Sequence, residues 1–200
     1  ACSEKYHPCQ ALGDMLTMME NSQGLENLKK VTWLGIENNV SNTLKLLCAK
    51  LGVKFYCAAP EIDPDSVDEE LNQMADSTGQ VVYTTDLKTA MQGTQYVHTD
   101  TWTNMEFFEN GKVKEAFQTE YNRRKQIFAP YQLTSALIET YAPQAYIMHC
   151  MPCHVGYEIT RDAIDHPHSL IFAQAENRMH IEKAIILWLL GYGLNTLAKL

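Results

Sequence analysis

The stretch that decides the fold covers residues 28–58 and reads LKKVTWLGIENNVSNTLKLLCAKLGVKFYCA. Residues 31–34 are β-branched, aromatic or apolar and end at Gly35, which predicts a buried strand. Apolar side chains then recur at helical spacing over residues 40–51, and a second strand is predicted over 53–58. A strand, a helix and a strand in this order predict two parallel strands joined by a helical crossover.

The same alternation continues along the chain. Further strands are predicted over residues 81–83, 95–99, 145–149 and 169–173, and helices over 9–21, 65–75, 86–91, 112–128, 133–141, 161–164 and 176–190. This order predicts an α/β fold with a doubly wound, Rossmann-like parallel sheet. We divide the chain into a helical segment over 1–22, an α/β domain over 23–182 and a C-terminal helix over 183–200.

Composition argues against several classes of protein. The 200 residues are 46% apolar, enough for a substantial core, and their formal net charge is -8. One small cationic cluster, residues 123–125, is too little for a nucleic-acid surface. No apolar run reaches the roughly 20 residues that a membrane helix needs. Six cysteines and no secretory signal predict reduced thiols and a cytoplasmic protein.

Ligands of such sheets bind beyond the carboxyl ends of the strands. The segments that follow predicted strands are residues 35–39, 100–105, 150–154 and 174–178, and all four are rich in polar or reactive side chains. Because these ends share one edge of a parallel sheet, the sequence predicts a binding site there.

Residues 149–154 read HCMPCH and allow several interpretations. Cys150 and Cys153 have the spacing of a thioredoxin-type redox pair, and His154 completes a haem-attachment pattern. Haem attachment needs export, and Pro152 predicts a loop where a redox site needs a helix. A zinc site would need a second ligand pair, and none is evident. The remaining interpretations are a substrate-binding loop and two buried structural thiols.

Five motifs together resemble the ornithine carbamoyltransferases. They are His7-Pro8-Cys9-Gln10, the pair Asn38-Asn39, the loop Asp100-Thr101-Trp102-Thr103-Asn104-Met105, the loop His149-Cys150-Met151-Pro152, and the turn Ala175-Glu176-Asn177-Arg178. Their order and spacing agree with that family across nearly the whole chain. The resemblance implies its amino-acid-binding half, with terminal helices that pack on a phosphate-binding half.

The resemblance implies a reaction as well. A side-chain amine of ornithine or a related amine attacks carbamoyl phosphate and gives a citrulline-like product and phosphate, with no cofactor and no metal. His7 and Arg178 are implied as donors to the carbonyl oxygen, and Gln10 as an acceptor from the carbamoyl NH₂. Cys150 is implied beside the reacting amine, as a thiol or thiolate that holds or deprotonates it.

The acceptor amine has its own implied residues. Asp100 would bind the α-ammonium group in a charge-assisted contact, and Asn39 the carboxylate. Asn104, Met105 and Met151 complete the implied binding site. An aspartate-type acceptor is disfavoured, because a second carboxylate would need added basic residues that this chain lacks.

Each proposed site residue also has a structural interpretation. His7 is placed to cap its own helix, Gln10 to lie on the surface, and Asp100 to form a turn. Arg178 is placed to pair with Glu182 or Glu176. For Asp14, Thr17, His98, His166, His168 and His180 we favour a structural role.

The chain also departs from the family's pattern. It has no Ser-x-Arg-Thr phosphate motif, so we expect it alone to be incomplete for catalysis and to need a missing N-terminal half or a second copy. Asn104 and Glu106 replace a serine and a glycine, and the added negative charge favours a diamine or altered substrate. Alternatives to an enzyme are a catalytically silent amino-acid-binding module and, more distantly, a thiol redox or haem protein.

Overall fold

The computed structural model describes residues 2–193, except the side chain of Met105. The helices are α1 (Pro8–Asn21), α2 (Asn39–Lys50), α3 (Glu69–Asp76), α4 (Leu87–Met91), α5 (Gln118–Phe128), α6 (Ser135–Tyr141), α7 (Arg161–Ile164) and α8 (Ile171–Leu189). The strands are β1 (Lys30–Leu34), β2 (Lys54–Ala58), β3 (Val81–Tyr83), β4 (Tyr96–Thr99), β5 (Phe108–Glu109), β6 (Lys112–Val113) and β7 (Tyr146–His149). The last part of the helix predicted over 183–200 lies outside the described residues.

Five strands form one parallel sheet in the order β3-β2-β1-β4-β7. Every pair in it is parallel, so the carboxyl ends of the strands share one edge. The predicted α/β fold with a doubly wound parallel sheet is therefore confirmed. Of the helices in the described range, none is long and apolar enough to cross a membrane.

Two predicted elements are wrong. The strand predicted over 169–173 is reduced to a single bridge between Ser169 and Ile147, after which helix α8 begins at Ile171. A short apolar run is compatible with a strand and with a buried helix. Here it forms the first turn of α8, and Ile171 packs into the core. The helix predicted over 112–128 begins only at Gln118, because β5 and β6 form a small antiparallel hairpin before it.

The helices α1 and α8 pack against each other at Gly13, where a Cβ atom would lie 2.9 Å from the Cα atom of Arg178. Only glycine permits this approach, and it brings the two ends of the chain together. Beyond the contact, α8 leaves large apolar side chains exposed, including Trp188 at 68% and Leu189 at 70%. The exposed apolar patch expected of the C-terminal helix is therefore present.

Gly35 ends β1 with a φ of +105°, and a Cβ atom there would lie 2.6 Å from Nε1 of the buried Trp102. We expect Gly35→Ala to lower the free energy of unfolding by about 2–4 kcal/mol, from backbone strain plus the overlap. Gly52→Ala is the matched control, because Gly52 also has positive φ but meets nothing within 4 Å. Gly52→Ala should lower the free energy of unfolding by only about 1 kcal/mol. If urea unfolding shows that the two variants lose the same free energy of unfolding, the contact with Trp102 has no part in the effect.

Candidate functional site

A cavity of about 460 Å³ opens at the carboxyl edge of the sheet. The loops after β1 and β4 form its walls, and residues 2–4 and 63–66 close it from the other side. Asn39, Asp100 and Asn104, three of the predicted binding residues, line it together. A volume in this range accommodates a small metabolite.

Asp100 follows directly after β4 and is 8% exposed. Its carboxylate accepts hydrogen bonds from the Asn38 amide and from the backbone N–H of Thr101, both at 2.7 Å. The Sγ atom of Cys150 lies within 4.8 Å of a carboxylate oxygen of Asp100. Asp100 therefore presents, at the wall of the cavity, a carboxylate that two ordered donors hold in place.

Asn38 fixes the geometry of Asp100 and was not among the predicted site residues. Its Oδ1 atom caps α2 by accepting from the N–H groups of Val40 and Ser41 at 3.0 and 3.1 Å. The cap leaves Nδ2 of Asn38 directed at Asp100. The capping-box spacing between Asn38 and Ser41 could have identified this role. Asn39 lines the same cavity, and its Nδ2 atom donates to the backbone carbonyl of Ser3 at 2.7 Å.

Cys150 carries a neutral thiol. Burial raises its pKa well above the ordinary value, and the charge of Asp100 and the hydrogen bond to it raise it further. A thiolate beside that carboxylate would be both desolvated and repelled. Of the two roles considered for Cys150, hydrogen bonding to its neighbours fits this environment, and proton abstraction as a thiolate does not.

His7, Gln10 and Arg178 meet where the N-terminus of α1 faces α8. Arg178 donates from Nη1 to Oε1 of Gln10 at 3.1 Å and from Nε to Glu182 at 3.2 Å. Gln10 is 1% exposed, so the surface interpretation of this residue is wrong. Its Oε1 atom has a second lone pair free to accept from a ligand.

His7 caps α1, since its Nδ1 atom accepts from the backbone N–H of Gln10 at 3.4 Å. Burial lowers the pKa of His7, and the positive charge of Arg178 lowers it further, so the ring is neutral at pH 7. With Nδ1 accepting, the ring proton sits on Nε2, and His7 can donate from that atom.

A buried hydrogen-bond network that includes Gln10 was not predicted from the sequence. Asp14 accepts from the side-chain amides of Gln10 at 2.7 Å and Gln174 at 2.6 Å. His98, for which no partner was predicted, lies with Nε2 3.1 Å from Asp14 and stacks on Trp33. Asp14 and His98 therefore have a structural role, as expected: Asp14 holds the side-chain amide of Gln10, and His98 holds Asp14. Gln10 and Asp14 lie one helical turn apart, and this spacing of two polar residues could have indicated the network from the sequence.

The loop over residues 150–154 contains no helix, which argues against a thioredoxin-type site. Cys150 and Cys153 are both free thiols. Met151 has a φ of 51°, is joined to Pro152 by a cis peptide bond, and packs half-buried against the core. Met105 lies in the 3-10 turn Met105–Phe107, and its side chain lies outside the described part of the structure.

Asp100, His149 and Cys150 bring three potential metal-ligand atoms within 4.8 Å of one another. The protein already engages these groups, because Asp100 holds two amide donors and Nδ1 of His149 accepts from the N–H of Met151 at 2.9 Å. The protonated Cys150 thiol is a poor metal ligand. Of the three, Asp100 lines the cavity, whereas His149 and Cys150 lie behind it.

Comparison with known proteins gives a consistent result. Residues 27–189 match a family model described as aspartate/ornithine carbamoyltransferase, Asp/Orn binding domain. An ornithine carbamoyltransferase of Nostoc punctiforme is 36% identical over 193 residues, which cover 96% of this chain and 60% of the relative. That of Methanothermobacter thermautotrophicus is 39% identical over 191 residues, covering 92% of this chain and 58% of the relative.

Solved structures agree. The ornithine carbamoyltransferase of Pyrococcus furiosus superposes with a TM-score of 0.78 at 32% identity, over 92% of this chain and 56% of that one. The enzyme of Thermus thermophilus gives a TM-score of 0.73 at 34% identity, over 94% and 56% of the two chains. The chain therefore spans a little under 60% of the length of these relatives.

Proposed function

Because the chain belongs to the aspartate/ornithine carbamoyltransferase family, of which it spans the Asp/Orn-binding domain, we propose that it presents the side-chain amine of ornithine, or of a related amine, to carbamoyl phosphate. The observation that carries the proposal is the placement of Asp100 in the cavity wall, where its carboxylate accepts from Asn38 and lies within 4.8 Å of the Cys150 sulfur. A buried carboxylate with ordered partners is a preorganised site for an ammonium group.

In the proposed reaction the nitrogen lone pair of the neutral amine attacks the carbonyl carbon of carbamoyl phosphate. The bond from that carbon to the phosphate oxygen breaks, phosphate leaves, and the nitrogen loses one proton. Charge builds up on the carbonyl oxygen, and Nε2–H of His7 and the guanidinium of Arg178 are the donors we assign to it. The second lone pair of Gln10 Oε1 accepts from the carbamoyl NH₂.

The roles of Asp100 and Cys150 follow from their charge states. Asp100 holds the ammonium group of the acceptor, and the Cys150 thiol orients the carboxylate by hydrogen bonding. Because burial and Asp100 keep Cys150 protonated, the proton released by the amine passes elsewhere; the departing phosphate is a sufficient acceptor. Catalysis in this scheme rests on positioning and electrostatic stabilisation.

Titration calorimetry of the chain with ornithine, with and without carbamoyl phosphate, tests the proposal. We expect ornithine to bind, and we expect little citrulline-like product from this chain alone, because the relatives extend well beyond it. 5-Aminopentanoate keeps the side-chain amine and the carboxylate but lacks the α-ammonium group that Asp100 would hold, so it serves as the control ligand and should bind far more weakly. Ornithine binding without turnover, when the part of a relative that this chain does not cover is supplied, would favour a silent amino-acid-binding module. No ornithine binding by the folded chain would reject the proposal.

A further inference from the structure

Gln174 is a fully buried amide on α8, one helical turn before Arg178, and the proposed reaction gives it no part. It is 0% exposed. Its Oε1 atom accepts from the backbone N–H of His149 at 2.9 Å, and its Nε2 atom donates to Asp14 at 2.6 Å. A buried amide costs free energy unless its donors and acceptors are paired, and these bonds pair both ends of it. Gln174 therefore joins α8 to α1 and to the end of β7.

The orientation of this amide is fixed by its partners. A backbone N–H only donates and a carboxylate only accepts, so exchanging the oxygen and nitrogen of Gln174 would break both bonds. The Nε2 atom also lies 2.9 Å from Nε2 of His98, which stacks on Trp33. An apolar side chain of the same size would make none of these hydrogen bonds. Position 174 thus requires a side chain that donates to one element and accepts from another.

On one side, Gln174 completes the edge of the sheet. β7 is an edge strand, and the N–H of Ile147 donates outward to a carbonyl of the loop before α8 at 2.9 Å. The next N–H on that side belongs to His149, the last residue of β7, and Gln174 supplies its acceptor. Cys150 follows at once, with its sulfur within 4.8 Å of a carboxylate oxygen of Asp100. Gln174 therefore fixes the direction in which the chain leaves the sheet towards Asp100.

On the other side, Gln174 holds the carboxylate that orients Gln10. Asp14 accepts from Nε2 of Gln10 at 2.7 Å as well as from Gln174. Because the amide nitrogen of Gln10 is taken up in this way, its Oε1 atom faces Nη1 of Arg178 at 3.1 Å. Each group is committed to its neighbour, so a series of hydrogen bonds runs without a break from Arg178 to the backbone of His149.

We infer that Gln174 is a positioning residue, which sets the distance between the carbonyl-binding end of the proposed site at Arg178 and its amine-binding end at Asp100. The inference rests on the proposed function, because this distance matters only if two substrates meet between these ends. A misplacement of about 1 Å costs a reaction about 100-fold, so a support that ties both ends together affects binding and rate alike. Gln174 itself contacts neither substrate in this scheme and acts through Asp14 and the N–H of His149.

Gln174→Met tests the inference in the full chain, because methionine keeps the volume of the side chain and makes neither bond. We expect titration calorimetry to show about tenfold weaker binding of ornithine, since the end of β7 is no longer held in place. Amide hydrogen exchange of His149, followed by NMR, should become faster relative to that of Ile147, whose acceptor is unchanged. If the folded variant binds ornithine as the original protein does, the inference is overturned and the proposed function stands. Absence of ornithine binding in the original protein would instead overturn the proposed function and the inference with it.

A buried hydrogen bond elsewhere in the sheet separates binding from stability. Thr32 is 0% exposed, and its hydroxyl donates at 2.8 Å to the carbonyl of Ala90 on α4, a helix that contributes no residue to the proposed site. Thr32→Val should therefore lower the melting temperature, as Gln174→Met does, and leave ornithine affinity unchanged. Equal weakening of ornithine binding by both variants would show that Gln174 acts only through stability, and would overturn the inference.

A measurement on the unsubstituted chain keeps the test independent of how the variant folds. The Nε2 protons of Gln174 give NMR signals of their own. Binding of ornithine should shift them, because a change at Cys150 alters the hydrogen bond between Gln174 and the N–H of His149. The side-chain amide of Gln73, which is exposed on α3, is the internal control and should not move. Signals of Gln174 that stay in place at saturating ornithine would overturn the inference.

Discussion

Asp100→Asn is expected to weaken binding of the acceptor amine by about 100-fold or more, the largest effect on binding that we foresee. The substitution keeps the shape of the side chain and removes its charge. It also replaces one acceptor oxygen by an NH₂ group, which then faces the Nδ2 donor of Asn38 or the N–H of Thr101. Titration calorimetry with ornithine measures the effect.

The matched control for this substitution is Asp165→Asn. Asp165 lies on the surface, where it pairs with Arg161 at 3.3 Å, and its loss should leave amine binding unchanged. If both variants bind amine as the original protein does, Asp100 has no part in recognition.

The same variant gives a second readout at Cys150. Burial raises the pKa of this thiol most, and the charge and hydrogen bond of Asp100 add to it. Removing the Asp100 charge should lower that pKa, so more thiolate is present at any given pH. Iodoacetamide should then alkylate Cys150 faster at pH 8, as followed by mass spectrometry of the peptide. An unchanged rate would show that Asp100 does not control the thiol.

Lys45→Met is expected to lower the free energy of unfolding by about 3–5 kcal/mol, the largest effect on stability. The side chains of Lys45 and Glu37 are 0% and 2% exposed and lie 2.6 Å apart, and Lys45 also donates to Asn72 at 2.5 Å. Methionine fills the space of the lysine stem but leaves Glu37 as an unpaired charge in the core. Urea unfolding monitored by circular dichroism measures the loss.

A double variant tests the cause of that loss. In Lys45→Met with Glu37→Gln, neither member of the buried ion pair carries a charge, and the amide oxygen can still accept from the thiol of Cys57. We therefore expect the double variant to recover much of the stability, with a coupling free energy of about 1–3 kcal/mol. Lys88→Met, the same change on the exposed side of α4, should cost little. Additive losses at Lys45 and Glu37 would contradict the ion-pair explanation.

The sheet and most of the site could be predicted from local pattern. The alternation of strand and helix periods over residues 28–58 required parallel strands, and parallel strands put their carboxyl ends on one edge. From this alone Asp100 and Asn39 were placed together, and the cavity that they line confirms their proximity. The strand predicted over 169–173 is wrong because the four apolar residues 170–173 carry no period that separates a strand from a helix.

The sequence by itself determined the order of elements, the family and the loops that meet, since hydrophobic period and motif spacing are local properties of the chain. Only the tertiary structure decided which polar groups are buried together. Nothing in the sequence distinguishes Gln10 from a surface glutamine, and it is buried only because α8 packs against α1. The partner of His98 is Asp14 on α1, which lies 84 residues away along the chain. A polar side chain loses its water only when other residues pack against it, and those residues are distant along the chain.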